Sequence, residues 1–237
     1  MSARIFVLRP EPGLTSTHVT AFDHGLRLRG MPLAKVEAVA WRAPAEAFDG
    51  LLVGSANAIR HGGAELDKVR HLPVLAVGEM TAQAAREAGF AVERVGEGGL
   101  QQLLDSLGGQ SRRLLRLAGE SRVALSPAEN IVATTVVCYA VRYLTLVGAQ
   151  AAMLDEGGIV LLHSGDMARH FAQQCEALGL DRSRLALVAM SARVAQQAGN
   201  GWQAVHIAPS MNDAAMLEIA ASLCQTGGGD GAAAQLA

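Results

Sequence analysis

A chain of 237 residues, half of them hydrophobic and under a fifth charged, has the composition of an ordinary globular protein. It is long enough for one large or two modest packed domains. The net charge of −2 excludes the basic excess of a nucleic-acid binder, so any anion-binding site must be local. Cys138, Cys175 and Cys224 are odd in number and lack CxxC spacing, which excludes a disulfide framework or structural zinc site and leaves them as core residues.

No secretory pattern occupies Met1–Pro10, and no apolar run is long enough for a bilayer. A cytoplasmic protein with no membrane partner is expected. Eighteen of the twenty basic residues are Arg. Heavy use of Ala and Gly assigns that bias first to codon composition, with a need for guanidinium forks that grip carboxylates as the second reading.

In chain order, Arg4–Leu8 reads as a buried strand, broken by Arg9-Pro-Glu-Pro-Gly13. Thr15 or Ser16 then caps a helix running to about Arg29. Val36–Trp41 alternates as a strand. Next come a strand at Gly50–Val53, a helix from about Asn57, a strand at Val74–Val77, a helix from Thr81, a strand at Val92–Val95 and a helix from Leu100. Strands alternating with helices predict parallel α/β layers. Thr226–Ala237, rich in glycine and without periodicity, reads as a disordered tail.

The chain also repeats itself. Leu52-Val-Gly-Ser-Ala-Asn-Ala-Ile-Arg-His61 matches Leu161-Leu-His-Ser-Gly-Asp-Met-Ala-Arg-His170. Val74-Leu-Ala-Val-Gly-Glu-Met-Thr-Ala-Gln83 is echoed by Leu187-Val-Ala-Met-Ser-Ala-Arg-Val-Ala-Gln196. Two copies of one strand–Ser–helix unit predict two similar α/β domains.

Phosphate signatures are absent: no GxGxxG follows the first strand and there is no Walker lysine loop. Gly96-Glu-Gly-Gly99 fits an ordinary loop into a helix, and Glu97 would repel an anion there. HExxH, paired His/Cys spacing and GxSxG are missing too, so no metal ligands are assigned. What remains is Ser55, Thr81, Ser164 and Ser191, each after an apolar run and before a helix. That edge of an open α/β sheet faces the ligand crevice. Each fits a helix N-cap as well as a ligand contact.

Here a resemblance becomes specific. Ile5–Pro10 (IFVLRP), Gly54-Ser-Ala-Asn-Ala-Ile-Arg60, Ala76-Val-Gly-Glu-Met-Thr-Ala82 and Leu117-Ala-Gly119 occur in order. Tyr139, Ser164, Met190-Ser-Ala-Arg-Val-Ala195 and Gly201-Trp202 through Ala208 continue the series. Over about residues 4–224 it resembles the landmarks of bacterial uroporphyrinogen-III synthases. The resemblance implies two similar parallel-sheet α/β/α domains joined by a two-strand linker, with the active site in the interdomain cleft. Its layout puts residues 1–37 plus 146–225 in one discontinuous domain and 44–138 in an inserted one. Val36–Arg42 and Tyr139–Leu146 would cross between them.

The family's substrate is hydroxymethylbilane, a linear tetrapyrrole with eight carboxylates. Loss of its terminal hydroxyl gives an azafulvene. Attack through the substituted carbon of ring D gives a spiro intermediate, and closure follows with ring D inverted. The resemblance implies no cofactor, a monomer, and Tyr139 as the proton donor; a half-buried linker tyrosine is the plainer role. Arg9 is a candidate for a substrate carboxylate or for a surface ion pair, and Ser55, Thr81, Ser164 and Ser191 are candidate substrate contacts. Arg60 and Arg169 read as solvated, and His61, His163 and His170 as surface or capping residues.

One segment departs from the family. Where it has a full helix between Arg122 and Tyr139, Ala124–Asn130 (ALSPAEN) contains Pro127 and leaves too little room. Two rival classes stay open: a nucleotide- or sugar-dependent transferase, which would need a phosphate loop, and a non-catalytic protein that clamps a small anion.

Overall fold

The computed structural model describes residues 4–226. The chain begins with β1 (Ile5–Val7), α1 (Gly13–Asp23), β2 (Leu28–Gly30) and β3 (Ala34–Ala38). It continues through β4 (Gly50–Val53), α2 (Ala56–Arg60), α3 (Glu65–Lys68), β5 (Val74–Val77), α4 (Glu79–Glu87), β6 (Val92–Gly96), α5 (Leu100–Asp105), β7 (Arg112–Gly119) and β8 (Ile131–Tyr143). It ends with α6 (Gly148–Asp155), β9 (Gly158–Leu162), α7 (Gly165–Ala177), β10 (Leu185–Ala189), α8 (Ala192–Ala198), β11 (Ala204–Ile207) and α9 (Asp213–Thr226).

Two compact units emerge: Val36–Arg142, and the remainder on either side of it. In the discontinuous unit the strand order is β11-β10-β9-β1-β2, with every neighbouring pair parallel. The inserted unit carries the order β3-β8-β7-β4-β5-β6. Without the edge strand β3, that second order traces the first, with β4 in the place of β9 and β7 in the place of β1.

Parallel sheets need cover on both faces, and apolar strand runs supply both. In the discontinuous unit Phe6, Val160 and Leu187 pack against Phe171 of α7 and Val194 of α8. On the opposite face Ile5, Val7 and Val188 meet Ala21 of α1 and Met216 and Leu217 of α9. Phe171 is fully buried and stacks on Trp202 with ring centroids 5.5 Å apart. Truncating such an aromatic costs about 3–5 kcal/mol, a large part of a domain's stability. In the inserted unit Leu51, Val53 and Leu115 face α2 and α4, while Leu52, Leu75 and Leu114 face α5. Adjacent residues such as Leu51 and Leu52 thus serve opposite cores, the period of two of a strand.

Several local readings need correction. The first helix ends at Asp23, not near Arg29, because Gly25 takes φ +67° and turns the chain into the short strand β2. Neither Thr15 nor Ser16 caps that helix: the Glu11 carboxylate accepts from the Thr15 amide at 3.0 Å. The fourth helix starts at Glu79 with Gly78 as its N-cap, so Thr81 lies inside it. Of the tail, Thr226 closes α9, and 227–237 lie outside the described residues. Between β7 and β8, residues 120–130 form no helix. The parallel β7–β8 pair is thus joined by irregular chain, whereas α1 joins its counterparts β1 and β2.

Candidate functional site

In an open parallel sheet, a crevice forms where neighbouring strands send their chains to opposite sides. In the inserted unit that point lies between β4 and β7: β4 leads toward β5, and β7 leads the other way to β8. Gly54 and Ser55 follow β4, and Ser121 and Arg122 follow β7. They enclose a recess of about 160 Å³ that Arg116 and Tyr139 also line.

Two glycines shape it by what they lack. A Cβ on Gly54 would meet Leu100 Cδ1 at 2.8 Å, so the glycine lets α5 close over the strand end. A Cβ on Gly119 would meet Tyr139 Cζ at 2.7 Å and Cε2 at 2.8 Å. The phenol ring therefore lies over bare backbone, half-buried against the Leu115–Leu117 core, and borders the recess. Ser55 caps α2 in extended backbone, its Oγ accepting from the Asn57 amide at 3.3 Å.

The matching point of the discontinuous unit lies between β1 and β9. Ser164 repeats the Ser55 geometry and accepts from the Met167 amide at 3.3 Å. Ser191 caps α8 through the Val194 amide at 3.4 Å. In the internal repeat Thr81 corresponds to Val194, and both are buried. Thr81 is thus an inward-facing helix residue, while Gly78 stands where Ser191 stands. Three of the four hydroxyls cap helices at a sheet edge; Thr81 does not join them.

Arg9 is already engaged. Its Nη1 lies 3.2 Å from Asp213 Oδ1 and donates to Thr17 Oγ1 at 3.3 Å. The Asp213 carboxylate also accepts from Thr17 Oγ1 at 2.9 Å and sits 3.1 Å from His163 Nε2. His163 is no surface residue: its side chain is 7% exposed. Burial pushes its pKa down, partly opposed by the bond to Asp213. Burial raises the Asp213 carboxyl, but the bonds from His163 and Thr17 and the charge of Arg9 outweigh it and hold the carboxyl below its ordinary value.

His170 bonds the Leu144 carbonyl at 2.7 Å, Arg169 pairs with Asp166, and Arg60 is exposed. Burial raises the Cys138 thiol to about 11 and the Cys175 thiol to about 12, as for inert core residues. Among the described residues no group of three or more His, Cys, Asp or Glu could hold a metal ion, and no helix is long and apolar enough to cross a membrane.

Sequence reasoning missed Arg116, Asp213 and the service Gly119 gives to Tyr139. The signal for Arg116 was a lone arginine inside the apolar run Leu114–Leu117. Asp213 gave no local signal, because its partners are distant in sequence.

Twin doubly wound sheets with Ser-capped helix starts at their strand switches define an α/β protein of the doubly wound class. The sequence profile of the family described as "Uroporphyrinogen-III synthase HemD" matches residues 24–218, and the chain belongs to that family of cyclising lyases of tetrapyrrole biosynthesis. The fold is shared with the uroporphyrinogen-III synthetase of Helicobacter pylori, at 18% identity and TM-score 0.66, over 93% of this chain and 99% of that one. It is shared too with a mutant uroporphyrinogen III synthase of Thermus thermophilus, at 16% identity and TM-score 0.56, over 94% and 99%. No curated protein matches the sequence.

Two outcomes follow from this geometry. Because the His163 pKa is lowered in the fold, the unfolded chain binds the extra proton first on acidification. The buried neutral imidazole therefore contributes its full stability above its ordinary value of 6.5 and loses it as pH falls toward the lowered one. Asp213, also lowered, adds a loss only below its ordinary 3.8. Thermal unfolding should show the midpoint falling from about pH 7.5 to about pH 5.5, and falling less in His163→Gln; equal slopes would remove His163 from this role. Gly119→Ala should displace the Tyr139 ring and slow ring closure as much as loss of the phenol hydroxyl does, and a fully active Gly119→Ala would show the contact to be dispensable.

Proposed function

We propose that this protein cyclises hydroxymethylbilane to uroporphyrinogen III, with loss of water and inversion of ring D, and that Tyr139 assists departure of the hydroxyl. The observation that carries the residue-level reading is the phenol of Tyr139 beside the β4–β7 recess, seated on Gly119.

The chemistry asks for placement more than for reactive side chains. Electron-rich pyrroles drive the loss of water, and free hydroxymethylbilane closes unaided to the wrong isomer. Tyr139 would donate its proton to the terminal hydroxyl as the carbon–oxygen bond breaks, leaving a protonated azafulvene, a water and a phenolate, and the pyrrole N–H proton would then return to the phenolate as the neutral azafulvene forms. Holding rings A and D so that attack comes through the substituted carbon of ring D then selects the spiro route. Amides at the capped starts beside Ser55, Ser164 and Ser191 would receive acetates and propionates. Arg9, already paired with Asp213, would contribute through a shared ion network. The proposal includes no cofactor, and a monomer working in the cytoplasm.

The test supplies hydroxymethylbilane to the dialysed protein with a chelator present and measures the ratio of type III to type I uroporphyrinogen. Excess type III is expected, and a product no richer in type III than the spontaneous one would contradict the reading. Removing a positioned proton donor costs on the order of 10²–10⁴-fold. A water can replace the phenol in part, so Tyr139→Phe should lose about 10²-fold or less in rate. Unchanged kinetics would take Tyr139 out of the mechanism.

A further inference from the structure

The face of β7 turned toward α5 carries one residue at odds with its surroundings. Leu114 and Arg116 share that face, and Arg116 is only 5% exposed. Its place in the other unit is known from register. Arg116 lies level with Leu52, and Val7 lies level with Leu161, the repeat equivalent of Leu52. Val7 is fully buried in the core that contains Ala21 of α1. Arg116 occupies the corresponding place where no helix joins β7 to β8.

Among the described residues nothing neutralises this guanidinium. Nη2 donates to the Val123 carbonyl at 3.0 Å, Nε is enclosed without a hydrogen-bond partner, and among the described residues no carboxylate pairs with it. The nearby Glu120 is taken by Arg142, whose two terminal nitrogens bond it at 2.6 and 2.9 Å. Burial, and then the charge of Arg122, make the protonated form of Arg116 harder to hold. An unpaired buried cation is a cost that an anion would relieve.

The space for that anion is present. Where the helix is missing, a cavity of about 440 Å³ opens over β7 and β8, lined by Arg116, Arg122, Thr135 and Glu120, the last with its carboxylate neutralised by Arg142. Arg116 and Arg122 also line the recess that Tyr139 borders.

We propose that Arg116 and Arg122 form a carboxylate subsite in the cavity between β7, β8 and segment 120–130, gripping one acetate or propionate of the tetrapyrrole. This deepens the functional reading above and rests on it. A planar guanidinium shielded from water holds a carboxylate through two parallel hydrogen bonds, and Arg122 adds charge from the solvent side. The gripped ring is thereby held beside Tyr139.

The experiment compares Arg116→Met and Arg122→Gln with the wild type for KM and kcat on hydroxymethylbilane, for the Kd of uroporphyrinogen III, and for Tm. A carboxylate grip present in both substrate and transition state acts on KM, so each variant should raise KM and Kd on the order of tenfold or more with kcat little changed. Arg116→Met should melt at or above the wild-type temperature, because it removes a buried unpaired charge and keeps much of the volume. Unchanged KM and Kd in either variant overturns the proposal, and Arg122 is exposed enough for its variant to fold regardless. A lowered Tm in Arg116→Met with KM unmoved assigns Arg116 to structure alone. A wild type inert toward hydroxymethylbilane overturns the functional reading itself, a result distinct from all of these.

Discussion

The ring of Tyr139 lies where any side chain at position 119 would have to be. That single steric exclusion links the end of β7 to the strand beside it and sets the width of the β4–β7 recess. A larger residue at 119 must drive the ring outward, and the phenol then no longer borders the space beside Ser55. Gly119 sits at the end of β7, where the pairing with β8 shifts register between Ala118 and Gly119, and the ring keeps one side on the Leu115–Leu117 core. A hydroxyl fixed by packing is pre-organised before any ligand arrives, as proton donation to a leaving group requires.

The two units show how one fold distributes different duties. In the discontinuous unit the strand switch is filled from within: Arg9, Thr17 and His163 all bond the Asp213 carboxylate. In the inserted unit the same topological point is hollow, and among the described residues no carboxylate pairs with its arginine, which bonds only the Val123 carbonyl. Buried polar groups left unpaired are costly, and a bound carboxylate would complete this network. The loss of the helix between β7 and β8 is the local change that makes this possible.

What the sequence revealed depended on the length of the signal. Strands β4 and β5 are continuous apolar runs between turn residues, and their boundaries were readable to the residue. The repeat correctly paired Ser55 with Ser164, because an N-cap is a local device with a local signature. Strand β2 was hidden, since three residues at a sheet edge carry no periodicity and its leucine read as the end of a helix. Thr81 misled for a related reason: a threonine before a helical run looks like a cap, whereas Gly78 at φ +76° had already opened the helix. Asp213 and Arg116 draw their meaning from tertiary neighbours, and no local pattern encodes those.

On the proposed function, carboxylates of the tetrapyrrole bind at the helix-start edge of the sheets. Hydrogen–deuterium exchange with and without uroporphyrinogen III addresses it most directly, since amides that receive a carboxylate exchange more slowly. Protection is predicted at the amides of 54–57 and 119–122, with further protection at 164–167 and 191–194. Protection confined to the opposite strand ends, or absent from 54–57 and 119–122 while the product is bound, would place the carboxylates elsewhere on the molecule.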